Sequence, residues 1–368
     1  MKDLREKTIR GGFSKVCAQA GSFVLRLGSL IVLARLLEPK DFGLMGMVTA
    51  VIGVLSIFKD FGLSTITVQR TTITDEQLST LFWINILVGG ILGLLTLASA
   101  PLLASFYQEP RLAMLTAVLA SGFVFNAAGV QHGALLERQM RFGALAIIEL
   151  ISQFAGFAVG IGLALFGYAY WALVGMALAV PAAYSICVWT NASWLPGRPR
   201  RRLGIRSMVR FGGTVTLNVF VAYITFNLDK ALLGRVSGAT ALGLYGRAYQ
   251  LINIPTESLN SAIGGVAFAA LSRLQGDHTR LKRYFLKGYA LALTLTIPLA
   301  LSCAVFADDI IRTLLGQKWN DAVIIFRLLS PTILVFAVLK PIVDSQVNHL
   351  HVCLLYKKNL RLHPTKTS

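Results

Sequence analysis

The chain has 368 residues, of which 55% are hydrophobic and only 14% are charged, and its formal net charge is +18. This composition lies far from that of soluble globular domains and excludes a water-soluble enzyme. A strongly positive chain could bind nucleic acid, but the distribution of the charges, described below, argues against that class of partner.

Apolar stretches of about 20 residues recur along the whole chain, and each is long enough to cross about 30 Å of hydrocarbon. Most are apolar on all sides and contain glycine, which favours membrane helices over the alternating strands of a β-barrel. The sequence therefore predicts an all-α polytopic membrane protein. Its ten predicted spans lie approximately at residues 12–34, 42–58, 80–105, 112–131, 143–166, 169–190, 208–228, 241–270, 284–306 and 322–339.

The first span contains a charged residue, Arg26, about nine residues or roughly 13 Å from its outer end. Exposing this charge to lipid would cost at least about 2.5 to 3.5 kcal/mol, so Arg26 should face the bundle interior or a water-filled cavity. Lys15, Gln19, Ser22, Arg26 and Ser29 recur at steps of four, three, four and three, and they form one polar stripe on this helix. A stripe of this kind suits the wall of a cleft.

Basic residues collect in alternate loops between the predicted spans, and the segment from Arg198 to Arg210 is the most basic of these loops. Loops rich in Lys and Arg stay in the cytoplasm, so this asymmetry places the N-terminus on the cytoplasmic side. The basic loops are therefore signals of membrane topology rather than a nucleic-acid surface.

An internal repeat with an offset of 200 residues links two loops. The segment "RLLEPKDFGLMG", Arg35 to Gly46, aligns with "RVSGATALGLYG", Arg235 to Gly246. Six predicted spans separate the copies, so both halves face the same way, related by an axis along the membrane normal. This geometry predicts two lobes with a central cleft.

The repeat defines four predicted regions. They are an N-terminal lobe of six transmembrane helices (1–190), a basic cytoplasmic linker (191–207), a C-terminal lobe of about four helices (208–340) and a polar tail (341–368). A complete second lobe would need six spans, so we interpret the chain as a truncated or frame-shifted version of a longer protein. A family that tolerates a short second lobe is the alternative.

The eighth span carries two further charges. Arg247, in "GLYGRAYQ", is a candidate for lining a cavity. Glu257 falls near the middle of the span, where an unpaired carboxylate would be protonated or bind an ion, as a proton or sodium coupling site requires. A salt bridge or a hydrogen bond at a helix kink is the alternative for Glu257.

The segment "RLLEPKDFGLMGMVTAVIGVLSIFKDFGLSTITVQR", Arg35 to Arg70, resembles the signature of bacterial oligosaccharide flippases. These are the Wzx-like polysaccharide exporters of the MOP transporter superfamily, and the resemblance is to the colanic-acid exporter type. "LGLYGRAYQLINIPTESL", Leu242 to Leu259, and "LSRLQGD", Leu271 to Asp277, resemble the matching segments of the second lobe.

The resemblance implies a two-lobed MATE-like helical bundle in the bacterial inner membrane. Such a transporter moves undecaprenyl-diphosphate-linked repeat units from the cytoplasmic to the periplasmic leaflet for exopolysaccharide or O-antigen synthesis. Its implied partners are the lipid-linked oligosaccharide, the bilayer, a proton or sodium ion and the polysaccharide polymerase machinery, without nucleic acid. We expect no cofactor and no bound metal.

Under this resemblance, Arg26 is the first candidate for contact with the diphosphate, since a guanidinium offers planar, bidentate donors and stays charged at any cellular pH. Arg247, Gln19, Ser22 and Lys15 complete the predicted substrate-binding set. The alternative is a structural Arg26 paired with an acidic residue, either Glu149 or Glu257.

Amide side chains in the spans could donate to sugar hydroxyls, with Tyr223 and Tyr249 as stacking surfaces, although most polar residues in spans only bond neighbouring helices. These amides belong to Asn85, Asn126, Gln131, Gln153, Asn218, Asn227, Gln250 and Asn253.

No catalytic or nucleotide-binding motif is found, so the sequence predicts a transporter rather than an enzyme. Three alternatives stay open. One is a multidrug or cation antiporter of the same superfamily, which would need acidic residues in its cleft. The others are a membrane-embedded glycosyltransferase or polymerase, which would need a large periplasmic loop, and an inactive remnant.

Overall fold

A computed structural model of the chain describes residues 20–59, 62–70, 73–199, 206–273 and 278–335. The regular structure in these ranges is helical, and it begins with a helix over residues 20–36 that we label α1. The later helices are α2 (Pro39–Ser56), α3 (Leu63–Gln69), α4 (Asp75–Tyr107), α5 (Arg111–Ala120), α6 (Gly122–Arg138), α7 (Phe142–Leu165), α8 (Trp171–Asn191), α9 (Arg206–Arg273), α10 (His278–Val305), α11 (Ala307–Leu314), a 3-10 turn (Gln317–Trp319) and α12 (Ala322–Leu329).

Among the described residues, four helical segments are long and apolar enough to cross a membrane. These are α4, the consecutive α5 and α6, α7 and α8. The end of α10 and the following α11 bend by 74° and would together form a fifth span. The molecule is thus a multi-pass membrane protein, and the predicted all-α fold class is confirmed.

Reciprocal side-chain caps set where two of these helices begin. At α4, the Thr74 hydroxyl accepts a hydrogen bond from the Gln77 amide (3.3 Å), and the Gln77 side chain accepts one from the Thr74 amide (3.2 Å). At α2, the Glu38 amide donates to the Asp41 carboxylate (3.0 Å), and Pro39 occupies the first helical position. Each cap satisfies amides that have no partner inside the helix.

The helix α9 consists of two helices joined at Gly238, whose φ of 79° and ψ of −177° are not helical. Glu38, 200 positions earlier, is the extended residue (φ −97°, ψ 155°) between α1 and α2. Both copies of the repeat therefore interrupt the helix at the same position. The positive φ at residue 238 favours glycine, which has no Cβ to clash with the backbone.

The chain divides into two compact units, Met1–Gly243 and Leu244–Ser368. The lobe boundaries predicted at residues 190 and 208 stay a prediction. A hydrophobic cluster in the first unit joins α2, the end of α4, α5, α8 and the part of α9 beyond Gly238. Its buried members are Leu44, Met47, Val48, Leu103, Tyr107, Leu112, Leu115, Leu119, Val174 and Leu242.

The second unit contains the end of α9 and the helices α10 to α12. Trp319 and Phe326 are fully buried there, with 0% and 1% of their surface exposed. On α11 the Arg312 guanidinium pairs with the Asp308 carboxylate one turn earlier, at 3.2 Å. The burial of two large aromatic rings gives this unit an apolar core of its own.

Candidate functional site: polar faces of the membrane helices

Arg26 lies in the middle of α1, and its side chain is not covered by protein. Among the described residues its guanidinium forms no ion pair and no hydrogen bond, and the Ser29 hydroxyl donates to its backbone carbonyl (2.8 Å). The alternative in which Glu149 neutralises Arg26 is therefore not observed. The guanidinium is exposed on the surface of α1.

Ser22 and Ser29, one turn before and after Arg26, are buried at 9% and 6% exposure. The Ser22 hydroxyl accepts a hydrogen bond from the Gln153 side-chain amide of α7 at 3.2 Å. The two serines thus face protein, while Arg26 on the same stripe does not. The predicted residues Lys15 and Gln19 lie outside the described residues and stay predictions.

A second polar stripe runs along α9 in the second unit. The Arg247 guanidinium donates to the Gln250 side-chain carbonyl, and the Asn253 amide donates to the Glu257 carboxylate at 2.8 Å. Positions 247, 250, 253 and 257 follow helical spacing, so these four side chains share one face. The side chain of Glu257 is exposed and, within the described part of the chain, pairs with no cation.

The two tyrosines expected to stack on sugars have other partners. The Tyr223 hydroxyl donates to the backbone carbonyl of Thr49 at 3.2 Å, and that of Ala50 lies at 3.4 Å. This bond attaches α9 to α2, so Tyr223 takes part in helix packing. Tyr249 stacks on Tyr245 with ring centroids 6.1 Å apart.

Two of the predicted amides lie deep in the first unit. Gln131 is fully buried, and its carbonyl accepts a hydrogen bond from the Thr67 hydroxyl at 2.9 Å. Asn85 is also fully buried, but neither its amide nitrogen nor its oxygen has a hydrogen-bond partner among the described residues. Gln131 therefore bonds a neighbouring helix, as most polar residues in spans do.

Three contacts of polar side chains were not predicted from the sequence. The Arg138 guanidinium donates to the carbonyls of Thr67 (2.8 Å) and Arg70 at the end of α3, and Arg141 donates to that of Asn191 (2.8 Å) at the end of α8. From the sequence, basic residues in loops such as these are predicted only to be signals of membrane topology. Because carbonyls at a helix C-terminus lack partners and carry partial negative charge, cations suit these positions.

The third unforeseen contact is an aromatic cluster around a buried histidine. His132 has no exposed surface and stacks on Trp189 with ring centroids 4.3 Å apart, while Phe82 meets it edge-on at 5.8 Å. The backbone groups of Ala128 and Trp194 lie near the His132 ring, but within the described residues neither ring nitrogen makes a hydrogen bond of good geometry. A single histidine in an apolar span gives no signal of these neighbours, because the rings come from three different helices.

Comparison with known proteins gives a family match. The model of a family described as polysaccharide biosynthesis protein matches residues 32–324. The lipopolysaccharide biosynthesis protein WzxC of Escherichia coli (strain K12) is 28% identical over 365 residues, covering 97% of this chain and 73% of WzxC. The teichuronic acid biosynthesis protein TuaB of Bacillus subtilis (strain 168) is 30% identical over 277 residues, covering 74% of this chain and 57% of TuaB.

A solved structure of the lipid II flippase MurJ, in an inward closed conformation, superposes on this chain with a TM-score of 0.70. It covers 89% of this chain and 74% of MurJ at 13% sequence identity. At this level of identity, the match describes a shared fold.

Proposed function

The chain belongs to the polysaccharide biosynthesis protein family, and from this premise we propose that it is a flippase for lipid-linked oligosaccharides. Its cargo would be undecaprenyl-diphosphate-linked repeat units, moved from the cytoplasmic to the periplasmic leaflet of the bacterial inner membrane. The names of WzxC and TuaB, a lipopolysaccharide and a teichuronic acid biosynthesis protein, support this proposal. So does the fold shared with a lipid II flippase.

The observation that carries the proposal is the uncovered guanidinium of Arg26 in the middle of a membrane helix. Keeping a bare cation there is costly, so a membrane protein retains one where an anion or water compensates for its charge. A diphosphate is such an anion, and its oxygens match the planar donors of Arg. We assign Arg26 to the diphosphate, and we propose Lys15 and Gln19 as further contacts because their spacing in the sequence matches that of Arg26.

Arg247 is the second proposed contact, since it adds a cation to the polar face of α9 in the other unit. Glu257 on the same face is the proposed acidic group for coupling to a proton or sodium gradient. A gradient is the energy source that we favour, because the sequence contains no nucleotide-binding motif. The polysaccharide polymerase would receive the cargo at the periplasmic side.

A multidrug or cation antiporter is the competing function within the same fold. It would need a cleft dominated by acids, because its cargo is positively charged. The uncovered cation Arg26 favours an anionic headgroup instead. We therefore place the chain among transporters of anionic lipid carriers rather than among drug exporters or enzymes.

Deleting the gene in its native bacterium tests the flippase function. Lipid-linked repeat units should accumulate on the cytoplasmic leaflet, where an impermeant reagent added outside spheroplasts does not modify them. Plasmid-borne wild type should return them to the periplasmic leaflet. If repeat units reach that leaflet at the normal rate without the gene, the flippase function is wrong.

A further inference from the structure

After α8 ends, the chain crosses the beginning of α4 in an irregular segment, residues 193–199, which we call the strap. Two hydrogen bonds at Gly197 hold the strap on α4. Its amide donates to the Ser79 hydroxyl at 3.0 Å, and its carbonyl accepts from the Trp83 indole nitrogen at 2.9 Å. Ser79 and Trp83 are one helical turn apart, so both backbone groups of one residue bond the same face of α4.

An aromatic contact fixes the strap from its inner side. The Trp194 ring packs against the buried aromatic cluster, with its centroid 5.1 Å from that of His132 and 6.3 Å from that of Phe82. The next residue, Leu195, faces away from the protein and has 78% of its surface exposed. The strap therefore holds a large apolar side chain on its outer side.

The outer side of the strap continues the lipid-facing surface of α4. Trp83 is 44% exposed, and exposed apolar side chains follow it along the helix at steps of four, at Leu87, Ile91 and Leu95. An exposed apolar stripe of this length on a membrane-spanning helix faces lipid. Trp83 begins the stripe eight residues, or about 12 Å, from the start of α4. Tryptophan is favoured where a helix enters the bilayer, so the strap lies at the membrane surface.

Arg198 gives this surface a positive charge. It directly follows Gly197, it is exposed, and within the described residues its guanidinium forms no ion pair and no hydrogen bond. The indole nitrogen of Trp83 already donates to Gly197, so Trp83 offers only its apolar ring to a ligand. Two apolar surfaces and one unpaired cation thus lie around a single residue of the strap.

This combination discriminates between ligands. A guanidinium suits a phosphate group, and the exposed leucine and indole ring are stabilised when hydrocarbon covers them. A water-soluble anion would bind the cation but leave the apolar surfaces in water. A zwitterionic lipid would cover the apolar surfaces, but its own cation offsets the charge of its phosphate. A phospholipid with a net negative charge meets both requirements.

We propose that the strap and the start of α4 form a binding site for an anionic phospholipid such as phosphatidylglycerol. Arg198 binds its phosphate, and Leu195 and the Trp83 ring lie beside its acyl chains. The site uses neither Arg26 nor Glu257, and it does not depend on the proposed flippase function.

The depth of a spin label at position 195 in nanodiscs tests the site. Leu195→Cys is made in a full-length chain whose four native cysteines are replaced with alanine, and the purified protein is reconstituted in phosphatidylcholine with increasing phosphatidylglycerol. Collisions with oxygen, which concentrates in hydrocarbon, and with a nickel complex, which stays in water, report the depth. Phosphatidylglycerol should move the label toward the hydrocarbon along a saturating curve. Equal depth in both lipids would overturn the proposal.

Two variants of the labelled chain locate the lipid. Arg198→Gln removes the charge, and the mole fraction of phosphatidylglycerol at half of the shift should rise about fivefold, the factor expected for one arginine at an anionic membrane surface. Trp83→Phe keeps an apolar ring but loses the donor to Gly197, so the label should become more mobile and its shift smaller. An unchanged curve in Arg198→Gln, or unchanged mobility in Trp83→Phe, would overturn the site.

Arg111→Gln is the matched control. Arg111 is an exposed cation that pairs with Glu109 at 3.5 Å beyond the other end of α4, and its loss should leave the curve of the label at position 195 unchanged. An equal rise in Arg111→Gln and Arg198→Gln would show a general effect of net charge and overturn the site. The nanodiscs contain no lipid-linked sugar, so the result is independent of the flipping assay.

Discussion

Gly43 and Gly243, which are 200 positions apart, meet backbone to backbone where α2 crosses α9. A Cβ atom built on Gly43 would overlap the carbonyl oxygen of Ala239, and one built on Gly243 would overlap that of Pro39. Pro39 and Ala239 are themselves 200 positions apart, so the contact is reciprocal. A reciprocal contact of this kind is what a local two-fold axis produces, and it agrees with the internal repeat found in the sequence.

Replacing Gly43 or Gly243 with alanine should therefore be strongly destabilising. The overlapping atoms belong to backbone carbonyls, which cannot rotate away as a side chain could, so the helices must separate. Overpacking typically costs about 1 to 3 kcal/mol, and we expect each variant to reach at least the upper end of that range. Thermal unfolding of the purified protein in detergent measures the loss.

Gly90→Ala is the matched control for these substitutions. A Cβ atom at Gly90 in α4 would have no atom within 4 Å, so alanine there should stabilise the helix by up to about 1 kcal/mol. Because the crossing is reciprocal, Gly43→Ala and Gly243→Ala should lose similar amounts. Wild-type stability in either would show that the close crossing is absent from the purified protein.

Arg26→Ala should reduce flipping at least about tenfold, the factor lost with 1.4 kcal/mol of binding. Arg26→Lys keeps the charge but loses the planar, bidentate donors, so its activity should lie between those of alanine and wild type. The measurement is the appearance of repeat units on the periplasmic leaflet of the deletion strain carrying each variant.

Arg111→Ala is the control, because Arg111 is an exposed cation that pairs with Glu109 outside the polar face of α1. It should flip repeat units at the wild-type rate at equal membrane abundance. Normal flipping by Arg26→Ala would remove Arg26 from the proposed site while leaving the family assignment in place.

Arg138→Gln should loosen the end of α3. It removes the cation that binds the carbonyls of Thr67 and Arg70. Hydrogen bonds to charged groups contribute about 1.5 to 3 kcal/mol, and we expect a loss of stability of that size. Hydrogen exchange of the amides in α3 measures it locally, with protection falling there before it falls in α7.

Because apolar length is a local property, the sequence was sufficient to predict the spans formed by α4, by α5 with α6, by α7 and by α8. Of the other six predicted spans, the described residues add at most one, the bent pair of α10 and α11. The sequence placed the start of the third span at residue 80, whereas α4 begins at Asp75. The reason is that hydropathy ignores the polar cap "TDEQ", Thr74 to Gln77, which adds a turn before the apolar residues. The family resemblance read from Arg35 to Arg70 is confirmed by the family model that matches residues 32–324.

Hydrogen bonds between residues on different helices could not be predicted in the same way. Helical periodicity shows which face a residue occupies but not which helix lies opposite. The Thr67 to Gln131 and Arg138 to Thr67 hydrogen bonds join residues 64 and 71 positions apart, on helices whose order in space the sequence does not specify. For the same reason Asn126 and Gln153 were both candidates, while their meeting in one cavity with Glu149 emerged only from the structure.

His132→Phe should leave transport unchanged and raise stability. A phenyl ring fills nearly the same space and keeps the stacking on Trp189 and the edge contact with Phe82. It also removes two buried ring nitrogens that make no hydrogen bond of good geometry in the described residues, and an unsatisfied buried polar group costs about 1 to 3 kcal/mol. His132→Ala is the matched comparison, since it removes the same nitrogens but leaves a cavity, and it should be destabilised by about 2 to 5 kcal/mol.

The melting temperatures of both variants, together with their rates of flipping, show whether His132 has a structural or a transport role. A loss of flipping in a stable His132→Phe protein would show that the imidazole itself takes part in transport.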